Sequence, residues 1–113
     1  MHEMSIAEGI LDICLTVLRE NEGQLVKSVQ LQIGEMAGVE ADSLHFCFDS
    51  VTRGTPAEGA KLSIQQVPLT GRCLDCDACF SIKEYVFQCP RCEGRTVVAE
   101  TGRELRVLSV DIE

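Results

Sequence analysis

The apolar residues near the start of the chain recur at the spacing of an amphipathic helix. They form two adjoining rows: Ile6, Ile10, Ile13 and Val17, with Ala7, Leu11, Cys14 and Leu18 beside them. Ser5 followed by Glu8 fits a capping box, which predicts that the helix begins at Ser5. Asn21 and Gly23 predict its end. We therefore expect the residues before Ser5 to lie outside the helix.

The rest of the hydrophobic pattern predicts a second helix and three strands. Helical spacing returns between Glu40 and Arg53 and ends before Gly54 and Pro56. The strands are indicated by apolar residues at alternating positions: Val29, Leu31 and Ile33; Leu62 and Ile64; Leu108, Val110 and Ile112. Because a strand–helix–strand unit makes a right-handed crossover, the first two strands are expected to be parallel.

A different pattern begins at Gly71, where the apolar periodicity fades and five of the seven cysteines occur before Arg95. The sequence therefore predicts an α/β fold. It would consist of a small mixed three-stranded sheet with two helices, plus an inserted zinc-ribbon-like module. We expect one domain at residues 1–68, completed by the strand at 104–113, and a second at residues 69–99.

The charge of the chain limits its partners. Ten Lys and Arg residues stand against 18 Asp and Glu residues, a formal net charge of −8. Such a chain is repelled by phosphate backbones and anionic lipid, so neither nucleic acid nor a membrane is an expected partner. No signal peptide or membrane span is evident, so the cytoplasm is the expected location. Thiols stay reduced there, and clustered cysteines suggest metal ligands rather than disulfides.

Two C-x-x-C pairs, Cys73 with Cys76 and Cys89 with Cys92, predict a structural zinc site. Four thiolates at this spacing complete a tetrahedron that has no open position, so the zinc would not activate water. An alternative frame stays open, because Cys76 and Cys79 also form a C-x-x-C pair. Cys14 and Cys47 lie on apolar helix stripes and are interpreted as core residues.

The first three residues form a second candidate metal site. The bulky His2 is expected to leave Met1 in place, which keeps a free α-amine beside an imidazole. The amine, the His2 amide and imidazole, and the Glu3 amide or carboxylate are ligands that suit nickel. This signal is weak by itself, since a terminal histidine is common in frayed, inert termini. His45, the other histidine, is interpreted as a boundary residue of the second helix.

Several segments together resemble the hydrogenase maturation factor HypA family along nearly the whole chain. They are Met1-His2-Glu3-Met4-Ser5, Ile33-Gly34-Glu35 leading to Val39-Glu40, Phe46-Cys47-Phe48-Asp49, and the two cysteine pairs with Pro90 in the second. The resemblance implies a nickel metallochaperone with Ni(II) as transient cargo and Zn(II) as a structural ion. It implies His2 as the principal nickel ligand, supported by Met1 and Glu3, and Cys73, Cys76, Cys89 and Cys92 as zinc ligands. Residues 1–68 would then be the nickel-binding domain and residues 69–99 the zinc-binding domain.

The resemblance also implies protein partners. They are a hydrogenase accessory GTPase of the HypB type, the large subunit of NiFe hydrogenase and, in some organisms, urease maturation proteins. Glu40 matches an acidic family position, but no role is assigned to it. Cys79 departs from the family pattern as an additional thiol.

Two other functions remain open from the residues alone. A nucleic-acid-binding or protein-binding zinc-ribbon accessory protein would explain the cysteines, although the acidic charge argues against nucleic acid. An enzyme is not expected, because no Ser–His–acid or Cys–His arrangement is evident.

Overall fold

The computed structural model describes residues 2–113, which form two helices and six strands. In chain order these are α1 (His2–Glu20), β1 (Val26–Gly34), α2 (Ala41–Thr52), β2 (Lys61–Val67), β3 (Thr70–Cys73), β4 (Cys79–Ser81), β5 (Val97–Thr101) and β6 (Leu105–Ile112). The strands make two three-stranded sheets, one in the order β2-β1-β6 and the other in the order β4-β3-β5. The predicted α/β class, with two helices and a separate cysteine module, is confirmed.

The first sheet is mixed. The Val26 N–H donates to the Pro56 carbonyl at 2.9 Å, and the Glu35 N–H donates to the Val67 carbonyl at 2.8 Å. The residue numbers therefore increase together along the two paired segments, so β1 and β2 are parallel. β1 and β6 run in opposite directions. Leu25, directly before β1, bonds to Glu113 after β6, whereas Gly34 at the end of β1 bonds to Glu104 before β6.

Helix α1 begins one turn earlier than the sequence indicated. The structure places His2 at its first position, and Ser5 lies exposed inside the helix rather than at its start. The predicted capping box is therefore wrong, and residues 2–4 are not outside the helix. A physical reason is the Glu3 carboxylate, which occupies the first turn, where negative charge is favoured by the helix dipole.

The two helices pack on each other through one apolar stripe each. In α1 the stripe consists of Ala7, Ile10, Cys14 and Leu18, and in α2 it consists of Leu44, Cys47 and Phe48. Ile13, which the periodicity placed on the buried row, is 45 % exposed. Cys14 and Cys47 are buried as predicted, and burial raises the pKa of the Cys14 thiol. These two cysteines are packing residues.

Helix α2 has a side-chain cap. The Glu40 carboxylate accepts the N–H groups of Asp42 at 2.7 Å and Ser43 at 3.4 Å, which would otherwise lack a partner in the first turn. At the other end, the buried Thr52 hydroxyl donates to the Phe48 carbonyl at 2.8 Å. The predicted helix is thus found with its start fixed by Glu40.

The second sheet was not predicted. β3 is its centre and pairs antiparallel with β4 and with β5. Its strands have only four, three and five residues, too few to show an alternating pattern in the sequence. The apolar residues that cover it, Leu69 and Ile82, lie just outside these strands and are buried.

Contacts divide the chain into two compact units. We call Met1–Gln32, Val39–Gln65 and Arg106–Glu113 the helical unit, and Ile33–Gly38 and Gln66–Leu105 the cysteine unit. The assignment of nickel to residues 1–68 and zinc to residues 69–99 stays a prediction. Among residues 2–113, neither helix has the length and apolar character needed to cross a membrane.

Candidate metal sites

Two turns of identical backbone design present the predicted zinc ligands. In the first cysteine turn, residues 73–78, the Asp77 N–H donates to the Cys73 carbonyl and the Cys73 N–H to the Ala78 carbonyl, at 2.8 and 2.9 Å. In the second, residues 89–94, the Glu93 N–H donates to the Cys89 carbonyl and the Cys89 N–H to the Gly94 carbonyl, both at 2.9 Å. Each turn therefore holds its two cysteines in the same way.

Each turn also contains a residue in the left-handed region of backbone space. Asp77 has φ 64° and Glu93 has φ 61°. This conformation suits glycine and costs other residues about 1–2 kcal/mol. The turns therefore carry local strain directly after Cys76 and Cys92, which indicates that the turn geometry is held by contacts elsewhere.

The four sulfur atoms form a compact cluster. Ligand atoms of Cys73, Cys76, Cys89 and Cys92 all lie within 4.8 Å of one another. The Cys73 and Cys92 sulfurs are 3.6 Å apart, and those of Cys76 and Cys89 are 3.5 Å apart. A tetrahedral zinc with Zn–S bonds of about 2.3 Å requires sulfur–sulfur separations of about 3.8 Å. The cluster therefore fits a structural zinc site.

Backbone N–H groups stabilise negative charge on this cluster. The Arg91 and Cys92 N–H groups each donate to the Cys89 sulfur at 3.4 Å. The bond from Cys92, followed by that from Arg91, lowers the pKa of the Cys89 thiol to about 7. Cys89 is therefore prepared to act as a thiolate, the form that binds metal.

Ionisation of all four thiols together is opposed by their mutual repulsion. The Gly94 N–H, 3.4 Å from the Cys92 sulfur, lowers the pKa of Cys92, but the neighbouring Cys73 and Cys76 side chains outweigh it and raise the pKa to about 12. Adjacent negative sulfurs repel one another at this range. A bound Zn²⁺ would remove that penalty, so the donor set suits a divalent cation.

Cys79 lies outside the cluster. It is exposed in β4 and is not among the four cysteines whose sulfurs converge. The structure therefore brings together Cys73 and Cys76, rather than Cys76 and Cys79, with the second pair.

An ion-pair network supports the first cysteine turn. The Arg72 guanidinium donates from Nε to Glu100 at 2.6 Å and from Nη1 to Asp77 at 3.0 Å. Hydrogen bonding to Glu100, and next to Asp77, raises the pKa of Arg72. We did not identify these residues from the sequence. The available signal in the sequence was the pair of opposite charges formed by Arg72, directly before Cys73, and Asp77, directly after Cys76.

Two of the three predicted nickel ligands, His2 and Glu3, lie at the start of α1. His2 is exposed and Glu3 is half-buried, whereas Met1 lies outside the described residues. The Glu3 carboxylate accepts the Glu40 N–H at 3.2 Å, and this bond, ahead of the carboxylate's interaction with its own N–H, lowers the pKa of Glu3. Glu40 is thus linked to the terminus through its backbone as well as capping α2.

The two candidate sites differ in how complete they are. Among residues 2–113, the four cysteines are the one group of three or more His, Cys, Asp or Glu side chains placed to share an ion. His2 and Glu3 are neighbours in sequence, but no third such side chain joins them within that range. His45 is exposed on α2.

Comparison with known proteins identifies one family across the chain. The model of a family described as "Hydrogenase/urease nickel incorporation, metallochaperone, hypA" matches residues 1–112. Proteins named hydrogenase maturation factor HypA are similar throughout: that of Azotobacter chroococcum is 43 % identical and that of Geotalea uraniireducens 42 % identical, each aligned over 100 % of both chains.

Two solved structures share the fold. A solution structure of HypA protein has a TM-score of 0.76 at 23 % identity and covers 100 % of this chain and 97 % of its own. The solution structure of the nickel metallochaperone HypA from Helicobacter pylori has a TM-score of 0.66 at 20 % identity, with 97 % and 96 % coverage.

Proposed function

Because the chain belongs to the HypA family of metallochaperones and maturation factors, which are not enzymes, we propose that it binds Ni(II) at its amino terminus. It would deliver this ion to the large subunit of NiFe hydrogenase during maturation. The observation that carries the proposal is the match of the nickel-incorporation family model over residues 1–112. The donor groups at the start of α1 support it.

The proposed nickel ligands are His2, Met1 and Glu3. The first four N–H groups of a helix have no acceptor within it, so a helix that begins at His2 leaves the His2 amide free to bind metal. The exposed imidazole is the second donor from the same residue. Imidazole and amide nitrogen suit nickel, and carboxylate oxygen is acceptable to it.

Glu3 is held close to the start of α2. Its carboxylate is hydrogen-bonded to the Glu40 N–H and is ionised over a wider pH range than an ordinary glutamate. A carboxylate that stays ionised is available to a cation. This terminus presents few donors on an exposed surface, which suits an ion that has to be passed on.

The zinc is proposed to be structural, with Cys73, Cys76, Cys89 and Cys92 as its four ligands. Four thiolates fill a tetrahedral site, so no coordination position remains for water or substrate. Cys73 and Cys89 are 0 % and 1 % exposed, so two of the four donors are buried. Metal binding would then supply much of the folding free energy of this unit.

The family's role in hydrogenase maturation implies hydrogenase-related partners. We propose the HypB-type accessory GTPase and the hydrogenase large subunit as these partners, with urease maturation proteins where urease is served. The proposed location is the cytoplasm, where the large subunit would be matured.

Nickel transfer to the large subunit tests this function. Zinc-loaded protein is charged with one equivalent of radioactive nickel, freed of excess metal and mixed with purified large-subunit precursor. The proposal expects nickel to appear on the precursor faster than from an equal concentration of nickel buffered by a small chelator. Equal rates from both sources would contradict delivery.

A further inference from the structure

The two cysteine turns share one backbone design but differ in side-chain support. Asp77 in the first turn is bound by Arg72, which also holds Glu100. Glu93 occupies the matching position in the second turn, and no hydrogen bond or ion pair within residues 2–113 involves its carboxylate. Both residues carry the same backbone strain. The second turn has a local side-chain contact, from Gln88 to the Glu93 carbonyl at 3.2 Å, but only the first turn is tied by a side chain to a strand, through Arg72 to Glu100 on β5.

Exposure of the cysteine residues differs in the same sense. The first cysteine of each turn is buried, whereas the second is half-buried in Cys76 and exposed in Cys92. A solvent thiol or an incoming soft metal therefore reaches Cys92 more easily than the other three.

We propose that the second cysteine turn is the half of the zinc site that opens first, with Cys92 as the exchanging ligand and the Arg72-supported first turn as the anchor. This inference rests on the proposed zinc site. It assigns a direction to ligand exchange, because an incoming thiol or soft metal enters on the side of residues 89–94. Arg72 is then a positioning residue, acting through Asp77 on the backbone of the first turn.

Pulsed alkylation during zinc release measures the order of opening directly. Zinc-loaded full-length Cys79→Ser protein is treated with a zinc chelator and N-ethylmaleimide pulses, and labelled cysteines are quantified by peptide mass spectrometry. The labelling rate of Cys92 should exceed that of Cys76 by about two- to fivefold, which corresponds to the free energy of a single exposed ion pair. Labelling of Cys76 or Cys73 first, or of all four at one rate, would overturn the proposal.

Two matched variants separate side-chain support from backbone strain. Asp77→Gly and Glu93→Gly both relieve the left-handed conformation, but only Asp77→Gly also removes the Arg72 contact. Glu93→Gly should slow labelling of Cys92, and Arg72→Gln should bring the rate at Cys76 close to that at Cys92. Unchanged order and rates of labelling in Glu93→Gly and in Arg72→Gln would refute the role of Arg72 and of the turn.

Zinc content decides which of the two proposals has failed. Elemental analysis before alkylation should give one zinc per chain in each variant used. A chain without zinc contradicts the zinc site itself, whereas a chain with zinc and the wrong labelling order contradicts only the order of opening.

Discussion

The two candidate metal sites are built in opposite ways. Four sulfurs from two turns lie within 4.8 Å of one another. At the amino terminus, His2 is exposed at the first position of a helix, and one hydrogen bond, from Glu40 to Glu3, attaches the segment to α2. The first arrangement favours retention of an ion and the second favours its release, because a site with few fixed donors surrenders its metal at low cost.

The comparison also shows how local structure is used in each site. In the cysteine unit, backbone hydrogen bonds within the two turns orient the cysteine side chains toward one another. At the terminus, the useful feature is the absence of intrahelical acceptors for the first N–H groups. A helix start can therefore provide metal donors without a cage around them.

The largest effect is expected from a substitution that disrupts the sulfur site alone. Cys89→Ser should abolish stoichiometric zinc binding and unfold the cysteine unit, since structural zinc contributes on the order of 10 kcal/mol in small zinc domains. Elemental analysis and amide NMR spectra would record both losses. Cys79→Ser is the control, because this exposed thiol lies outside the cluster. Full zinc content in the Cys89 variant would contradict the assignment.

The next largest effect is expected from a substitution that disrupts the amino-terminal site alone. His2→Ala should weaken nickel binding by at least about tenfold, the equivalent of ~1.4 kcal/mol, while zinc content and helical signal stay unchanged. Calorimetric titration of zinc-loaded protein with nickel measures this change. His45→Ala is the matched control, because it removes the other exposed histidine and should leave the nickel affinity as it was.

The smallest effect concerns the bond between Glu3 and Glu40. The pKa of Glu3 is lower in the folded chain than its ordinary value of about 4.3, so the contact is fully present above that value. It is lost as the pH falls through the folded pKa. The Glu40 amide proton should therefore shift in NMR spectra on acidification below pH ~4.3, and Glu3→Gln should remove the titration. A titration that survives this substitution would point to another acid.

The sequence allowed most of the fold to be predicted where a repeating pattern was long enough. Helix α2 and strands β1, β2 and β6 all lie where their spacing placed them. The prediction from the capping box at Ser5 was wrong, because Glu3 in the first turn favours helix formation one turn earlier. The strands of the cysteine unit were missed, since the longest has five residues.

For the sites, spacing identified residues but not their surroundings. The two C-x-x-C pairs sufficed to select the four cysteines that converge. The contact of Arg72 with Glu100 depends on strand pairing between β3 and β5, which places residues distant in sequence beside each other. The contact between Glu3 and Glu40 likewise joins two segments that only the tertiary structure brings together.

The most direct test of this division between a retained and a released ion is metal analysis of a chain extended at its amino terminus. The unextended and extended proteins are incubated with nickel, desalted and measured for both metals by mass spectrometry. We expect one zinc in each protein, and nickel only in the unextended one, because the extension removes the Met1 amine and moves His2 away from the chain end. Equal nickel in both would contradict the amino-terminal site.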